Sequence, residues 1–223
     1  MLPDYDATLG YLEARYLTLE ALAGASGLNP DRLRTLIDAG CLPAHSHVAI
    51  FGLRVEALVN GSHPTTEKRI EFYHPDLAGL AREADSLAAA LGLNGAATEL
   101  RRRHDAAVAL AAQLEAGSPA HRDLAEMAWA AWRDGTYGVC LQQLATPNMI
   151  RKATAVDALK AALDQAEREG PAGVDADALD AALTRYASVT GPFGPHERDG
   201  STRALVYEPA LALRRSLAGY VPS

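Results

Sequence analysis

The residues best suited to chemistry lie in one short stretch, the run WAAWRDGTYGVCL over residues 129–141. Asp134 could act as a general base or hold a substrate amine, and it could equally cap the turn that Gly135 predicts. Tyr137 offers a phenol to a ligand, or it packs with its hydroxyl bonded. Cys140 is either a nucleophile activated by a neighbouring base or a buried structural thiol. We assign candidate catalytic roles to Asp134, Tyr137 and Cys140.

A second group of polar residues follows in the C-terminal tail, in the run PHERDGSTR over residues 195–203. The guanidinium groups of Arg198 and Arg203 suit a carboxylate or a phosphate, and Ser201 adds a hydroxyl between them. A loop of mixed charge that pairs with itself is the alternative interpretation. We expect these three residues to bind substrate if the tail folds back over the turn at 134–140.

Three aromatic or imidazole side chains complete the candidate set. His74 begins a predicted helix, and a helix N-terminus would keep its imidazole neutral and favour a role as general base. The alternative is a structural histidine with satisfied hydrogen bonds. We include His74 with the catalytic candidates, and we include Tyr73 and Trp132 with the substrate-binding candidates.

Two further histidines, His45 and His47, would point to one face of an extended segment. A metal site would need one or two more ligands, and none stands at a recognisable spacing. The sequence therefore predicts solvent-exposed histidines, no metal and no cofactor. The chain also lacks a Walker A sequence, a dinucleotide-binding glycine motif, a zinc-protease H-E-x-x-H and a nucleophile elbow, so those enzyme classes have no support.

The elements that must position these residues are mostly helices. Apolar residues recur at helical spacing, and short connections favour antiparallel packing. We predict a mainly α fold, a compact multi-helix bundle with a minor β element. An extended segment is expected at 43–53 and a strand at 201–207, while 67–73 is either a strand or the lead into a helix. Helices are predicted at 8–16, 19–23, 30–40, 77–91, 97–116, 119–134, 146–169, 175–189 and 211–217.

Composition and charge limit the classes of protein to which the chain could belong. Of 223 residues, 48% are hydrophobic and 22% are charged, which is typical of a soluble globular protein with a sizeable core. A net charge of -7 argues against a large surface for nucleic acid or anionic lipid. We find no leader peptide, no apolar run of about 20 residues and no disulfide framework. We therefore expect a cytoplasmic protein with reduced cysteines and no membrane partner.

Residues 1–60 are predicted to form a helix-turn-helix-like N-terminal unit, and residues 61–223 a helical main domain. The two predicted helices on either side of residues 27–29, with the following GCLP (40–43), resemble the start of MerR-type winged-helix regulators. Such helix pairs also occur in proteins that never touch DNA. Residues 1–80 carry 6 Lys/Arg and 10 Asp/Glu, whereas a domain that binds DNA phosphates would carry a positive net charge. We therefore do not expect nucleic acid as a partner.

Segments spread over most of the chain carry a family resemblance. They are LTLEAL (17–22) with IDAGCLP (37–43), FYHP (72–75), DGTYGVCL (134–141) with TP (146–147), and ERD (197–199) with STR (201–203). Together they are similar to an uncharacterised bacterial family, a domain of unknown function known only as natural-product biosynthesis proteins. The resemblance implies a role beside secondary-metabolite enzymes and supplies no mechanism.

Three functions remain open on the sequence. The first is a small enzyme or substrate-handling protein that takes a small polar or anionic metabolite near residues 134–140. The second is a ligand-sensing, MerR-like DNA-binding regulator. The third is a non-catalytic helical partner of a biosynthetic enzyme, and a homodimer is a further possible assembly.

Overall fold

The computed structural model describes residues 5–51, 54–57, 61–64, 67–116 and 122–219. Helices hold most of these residues, so the predicted mainly α fold with a minor β element is confirmed. The strands are β1 (Leu17–Thr18), β2 (His47–Phe51), β3 (Arg54–Ala57), β4 (Gly61–Pro64) and β5 (Lys68–Tyr73). The helices are α1 (Tyr5–Arg15), α2 (Leu19–Ser26), α3 (Pro30–Asp38), α4 (Leu77–Ala116), α5 (Arg122–Arg133), α6 (Thr136–Cys140), α7 (Thr146–Glu169), α8 (Ala176–Val189) and α9 (Glu208–Gly219).

Helices α2 and α3 begin at caps that the sequence supplies. The Thr18 hydroxyl accepts the N–H of Ala21, and the Asn29 side chain accepts the N–H of Arg32. Gly27 ends α2 in the left-handed conformation, with φ of 75°. The apolar faces of both helices are buried against α4, through Leu19, Leu22, Leu33 and Leu36.

The small sheet joins parts of the chain that are far apart in sequence. Its order is β1-β5-β2, with both pairs antiparallel, and β3 pairs with β4 in a separate hairpin. Residues 68–73 are therefore a strand, which settles the alternative that the sequence left open there. Because β5 pairs with β1 and β2, the sheet connects segments on both sides of the predicted division at residue 60.

Helix α4 connects the N-terminal helices to the rest of the molecule. It is interrupted at Gly92, with φ of 72° and ψ of 166°, between the two helices predicted there. Its first half packs on α2 and α3, and Val108, Ala111 and Ala112 in its second half pack against α5 and α7. Despite its length, no described helix combines the length and apolarity needed to cross a membrane.

The C-terminal part is built from α7, α8 and α9, which share one apolar cluster. The predicted strand at 201–207 is wrong, because Arg203–Tyr207 forms a π-helical turn that continues into α9. Local chemistry decides this, since the Ser201 hydroxyl accepts the N–H of Ala204 and so starts a helix. The predicted helix start at 118–119 lies outside the described residues.

Candidate functional site

The turn at 134–140 has the geometry that its Asp-Gly pair predicts. Helix α5 ends at Arg133, and Gly135 takes the left-handed conformation, with φ of 85°. Oδ1 of Asp134 accepts the N–H of Thr136 at 2.9 Å, which starts α6. The Asp134 carboxylate caps the turn and remains exposed, so capping does not remove it from contact with a ligand.

A cavity of about 290 Å³ opens beside this turn. Helix α7 contributes Lys152, and the segment after α8 contributes Phe193 and Thr202. Part of the tail therefore reaches the turn, but the predicted anion-binding residues Arg198, Ser201 and Arg203 are not among the described lining residues. The polar wall consists of Ser46, Asp134, Thr136, Lys152 and Thr202, and the apolar wall of Val139, Cys140 and Phe193.

Lys152 is the cation of this cavity, and sequence reasoning missed it. No described residue forms an ion pair with its ammonium group, and its distance to Asp134 exceeds that of a salt bridge. The chain contains three lysines, and their rarity is the feature of the sequence that could have drawn attention to Lys152. A half-buried lysine with no counter-ion among the described residues is suited to hold an anion.

Tyr137 and Cys140 behave as packing residues of the turn. Tyr137 contacts three apolar clusters, and burial, with Cys140 and Asp134 nearby, raises its pKa to about 12. The thiol of Cys140 lies 3.7 Å from the carbonyl oxygen of Thr136 and 3.9 Å from that of Tyr137, and donates to them. Cys140 lines the cavity, whereas Tyr137 is not among the described lining residues.

His74 lies beside the turn, with its Cβ 3.5 Å from the position that a Cβ on Gly138 would take. Its Nδ1 accepts the N–H of Asp76 at 3.2 Å, and burial lowers its pKa, partly opposed by the Asp76 carboxylate. Asp76 in turn accepts the N–H of Leu144 at 2.8 Å. His74 and Asp76 therefore tether the segment after α6. The neighbouring Tyr73 is buried and donates its hydroxyl to Glu71 at 2.7 Å.

The three predicted anion-binding residues of the tail lie elsewhere. Arg203 stands over the ring of Tyr207, with its guanidinium carbon 5.4 Å from the ring centre. Ser201 is buried, donates to the Arg198 carbonyl at 2.8 Å and caps the π-helical turn. Arg198 is exposed. Among the described residues that line the turn cavity, the positive charge belongs to Lys152.

Trp132 is buried and faces a second, separate cavity. Its ring stacks on Trp129 with centroids 4.7 Å apart, and His104 stands 5.1 Å from Trp129. Trp129, Trp132, His104 and Thr146 line a cavity of about 220 Å³ between α4, α5 and α7. The structure therefore places Trp132 in the core beside His104, away from the turn cavity.

A cluster of His47, His196 and Glu197 lies where β2 meets the loop after α8. Oε1 of Glu197 is 3.5 Å from Nδ1 of His47 and 3.9 Å from Nε2 of His196. Burial, followed by the two neighbouring histidines His196 and His45, lowers the pKa of His47 to about 4. Burial also raises the pKa of Glu197.

Sequence reasoning missed this cluster because its members come from opposite ends of the chain. The prediction of solvent-exposed histidines is wrong for His47, whose side chain is only 8% exposed. His45 keeps 32% of its side-chain surface and lies beside Glu71. The His-Glu pair at 196–197, between prolines and glycines, is the sequence feature that could have indicated a metal-binding cluster. On the sequence alone, we assign this pair to a loop of mixed charge.

Comparison with known protein families gives a match that covers the middle and C-terminal parts of the chain. The model of a family of unknown function (DUF6058) matches residues 95–209, more than half of the sequence. The matched region contains the 134–140 turn, Lys152 and the His196-Glu197 pair. No curated protein and no solved structure matches the chain.

Proposed function

The chain belongs to a family of unknown function (DUF6058), and we propose that it takes a small anionic metabolite into the cavity beside residues 134–140. It would do so as a small enzyme or substrate-handling protein of natural-product biosynthesis. The resemblance of its sequence segments supports that setting. Two free cysteines, both buried, are consistent with a cytoplasmic location.

One observation carries the proposal, the Lys152 ammonium that lines the cavity without a counter-ion among the described residues. Most lysines extend into solvent, where water screens the charge. A lysine at the wall of a concave site attracts a carboxylate or phosphate more strongly, because fewer water molecules compete. Anion binding follows from that placement.

The remaining wall suits the rest of a small polar molecule. The hydroxyls of Ser46, Thr136 and Thr202 can donate to and accept from ligand polar groups, and Phe193 packs on an apolar part. Among the described residues of this wall, Asp134 supplies the carboxylate, so we assign it the amine-binding or general-base role. An amino acid or an amino-containing acid would match the cation and the carboxylate together.

Lys152→Met tests this assignment, because methionine keeps much of the side-chain length and removes the charge. We expect affinity for the anion to fall about 10- to 100-fold, since a charge-assisted hydrogen bond contributes about 1.5–3 kcal/mol. Calorimetric titration with amino acids, short dicarboxylates and phosphate monoesters measures the affinity of each protein for the anion. Lys160→Met, on the same helix and outside this cavity, is the matched control and should bind as the wild type does.

Two results would contradict the proposal. In one, none of these probe classes binds the wild-type chain at millimolar concentration. In the other, Lys152→Met and Lys160→Met weaken binding equally, which would mean that general charge and not the cavity holds the anion. Unfolding curves for both variants separate loss of binding from loss of fold.

DNA binding is a second candidate function, favoured by the connectivity of the N-terminal part. The order α1-β1-α2-α3-β2-hairpin-β5, with sheet order β1-β5-β2, resembles that of winged-helix units. The charges of α3 argue against DNA binding, because its arginines are already paired with carboxylates. Arg32 pairs with Asp85 at 2.6 Å, and Arg34 pairs with Asp31 on its own helix.

A gel-shift titration on DNA from the gene's own neighbourhood decides this second candidate. DNA binding through Lys and Arg must strengthen at low salt, because it releases counter-ions from phosphate. Binding at about 50 mM salt that falls steeply by about 200 mM would establish it. No binding at the lower concentration rejects it and leaves the metabolite proposal untouched.

A further inference from the structure

The cluster of His47, His196 and Glu197 is the strongest site outside the turn cavity. One donor atom from each residue lies within 4.8 Å of the other two, with Glu197 shared between the histidines. The separations of 3.5 Å and 3.9 Å from its Oε1 to the imidazole nitrogens are longer than hydrogen bonds of this type. Separations of this length are expected between donor atoms that bind one ion, because two ligands bound at about 2.1 Å stand roughly 3–4 Å apart.

The side chain of His47 is buried, and one of its two ring nitrogens has no hydrogen bond with a described residue. Nε2 of His47 is fully buried, and no described residue forms a hydrogen bond with it. Only 8% of the His47 side-chain surface is exposed. Nδ1, and not Nε2, is the nitrogen 3.5 Å from Glu197, so Nδ1 is the atom that would bind an ion beside Glu197.

The surrounding residues fix the orientation of these donors. Oε2 of Glu197 accepts the N–H of Gly194 at 3.0 Å, which turns Oε1 toward the histidines. The ring of Tyr16 packs edge-on against His47, with centroids 4.5 Å apart. Tyr11 donates its hydroxyl to the carbonyl of Pro192 at 2.8 Å and so holds the loop against α1. These contacts limit the movement of the His47 ring, the Glu197 carboxylate and the loop that carries Glu197.

We propose that His47, His196 and Glu197 bind a divalent transition-metal ion. Two imidazoles and one carboxylate suit Zn²⁺ or Fe²⁺, whereas Ca²⁺ and Mg²⁺ prefer oxygen ligands alone. Three protein ligands leave at least one coordination position for water or a substrate oxygen. The ion joins β2 to the loop after α8, and so connects the N-terminal sheet to the C-terminal helices.

This site is distinct from the turn cavity. Ser46 lines the cavity, and His47, the next residue along the extended segment, belongs to the metal cluster. The two sites share none of the described residues. Metal binding and metabolite binding can therefore be tested, and can fail, separately.

Zn²⁺ is the appropriate probe, because an N/O site generally binds it more tightly than Fe²⁺. The full-length chain is stripped with a chelator, dialysed against Zn²⁺ and analysed for bound metal. We expect one equivalent per chain and a rise in thermal midpoint with Zn²⁺ concentration. His196→Ala and Glu197→Gln should lose both effects, while His45→Ala, two residues from His47, is the matched control and should keep them.

Either of two outcomes overturns the metal proposal. The wild-type chain binds no stoichiometric Zn²⁺, or His45→Ala loses the ion as completely as His196→Ala does. His196 and Glu197 are preferred for substitution because they lie in a loop, where replacement leaves the core intact. Circular dichroism of the metal-free variants verifies that they remain folded.

Discussion

Gly135→Ala is expected to destabilise the protein by about 3 kcal/mol or more, through the conformational cost of positive φ and overpacking together. Gly135 has φ of 85°, a conformation that a side chain disfavours. A methyl group there would collide with the backbone carbonyl of His45 and stand 3.0 Å from the carbonyl oxygen of Ala44. That backbone cannot retreat freely, because the N–H of Ala44 bonds to Arg133 at 2.8 Å.

Gly27→Ala is the matched control for this collision. Gly27 has φ of 75° and open space around the position of a new methyl group. Its substitution should cost only about 1–2 kcal/mol, the conformational part alone. Urea unfolding of both variants gives the two free energies. Equal losses would show that residues 44–45 do not pack on the turn as described.

Much of the helical fold could be predicted because its signals are local. Thr18, Asn29 and Asp175 each cap the helix that follows them, and these contacts span two or three residues. The break at Gly92 and the turn at Gly135 follow likewise from the conformational freedom of glycine. The strand predicted at 201–207 failed where a local cap, Ser201, outweighed a short apolar run.

The candidate sites could be predicted only in part, because they depend on contacts between distant segments. The turn at 134–140 could be predicted because it adjoins a clear helix end, whereas the return of the tail was only a condition of the hypothesis. The sequence did not indicate that Lys152 of α7 would face the turn while Arg203 packed on Tyr207. Nor did the sequence bring His47 to Glu197, because the two residues come from opposite ends of the chain and meet only in the folded protein.

His104 should make the protein markedly less stable in mild acid. It is 5% exposed, with Nδ1 3.3 Å from the Thr146 hydroxyl and no described residue bonded to Nε2. Desolvation lowers its pKa to about 4; Asp105 opposes this shift, and Arg101 reinforces it. The unfolded chain, with an ordinary pKa of about 6.5, then binds more protons than the folded one between those values.

Stability therefore falls as pH drops through about 6.5, and the loss ends near pH 4, below both pKa values. From about pH 7.5 to about pH 5, the His104 contribution amounts to about 2 kcal/mol. His104→Asn keeps a polar atom near Nδ1 for Thr146 and removes the titrating group. Comparing urea unfolding of variant and wild type at both pH values isolates His104 from His74 and His47, which titrate in both proteins. An unchanged pH dependence would mean that water reaches the ring, and that the cavity beside Trp129 and Trp132 is open enough to hydrate a charge.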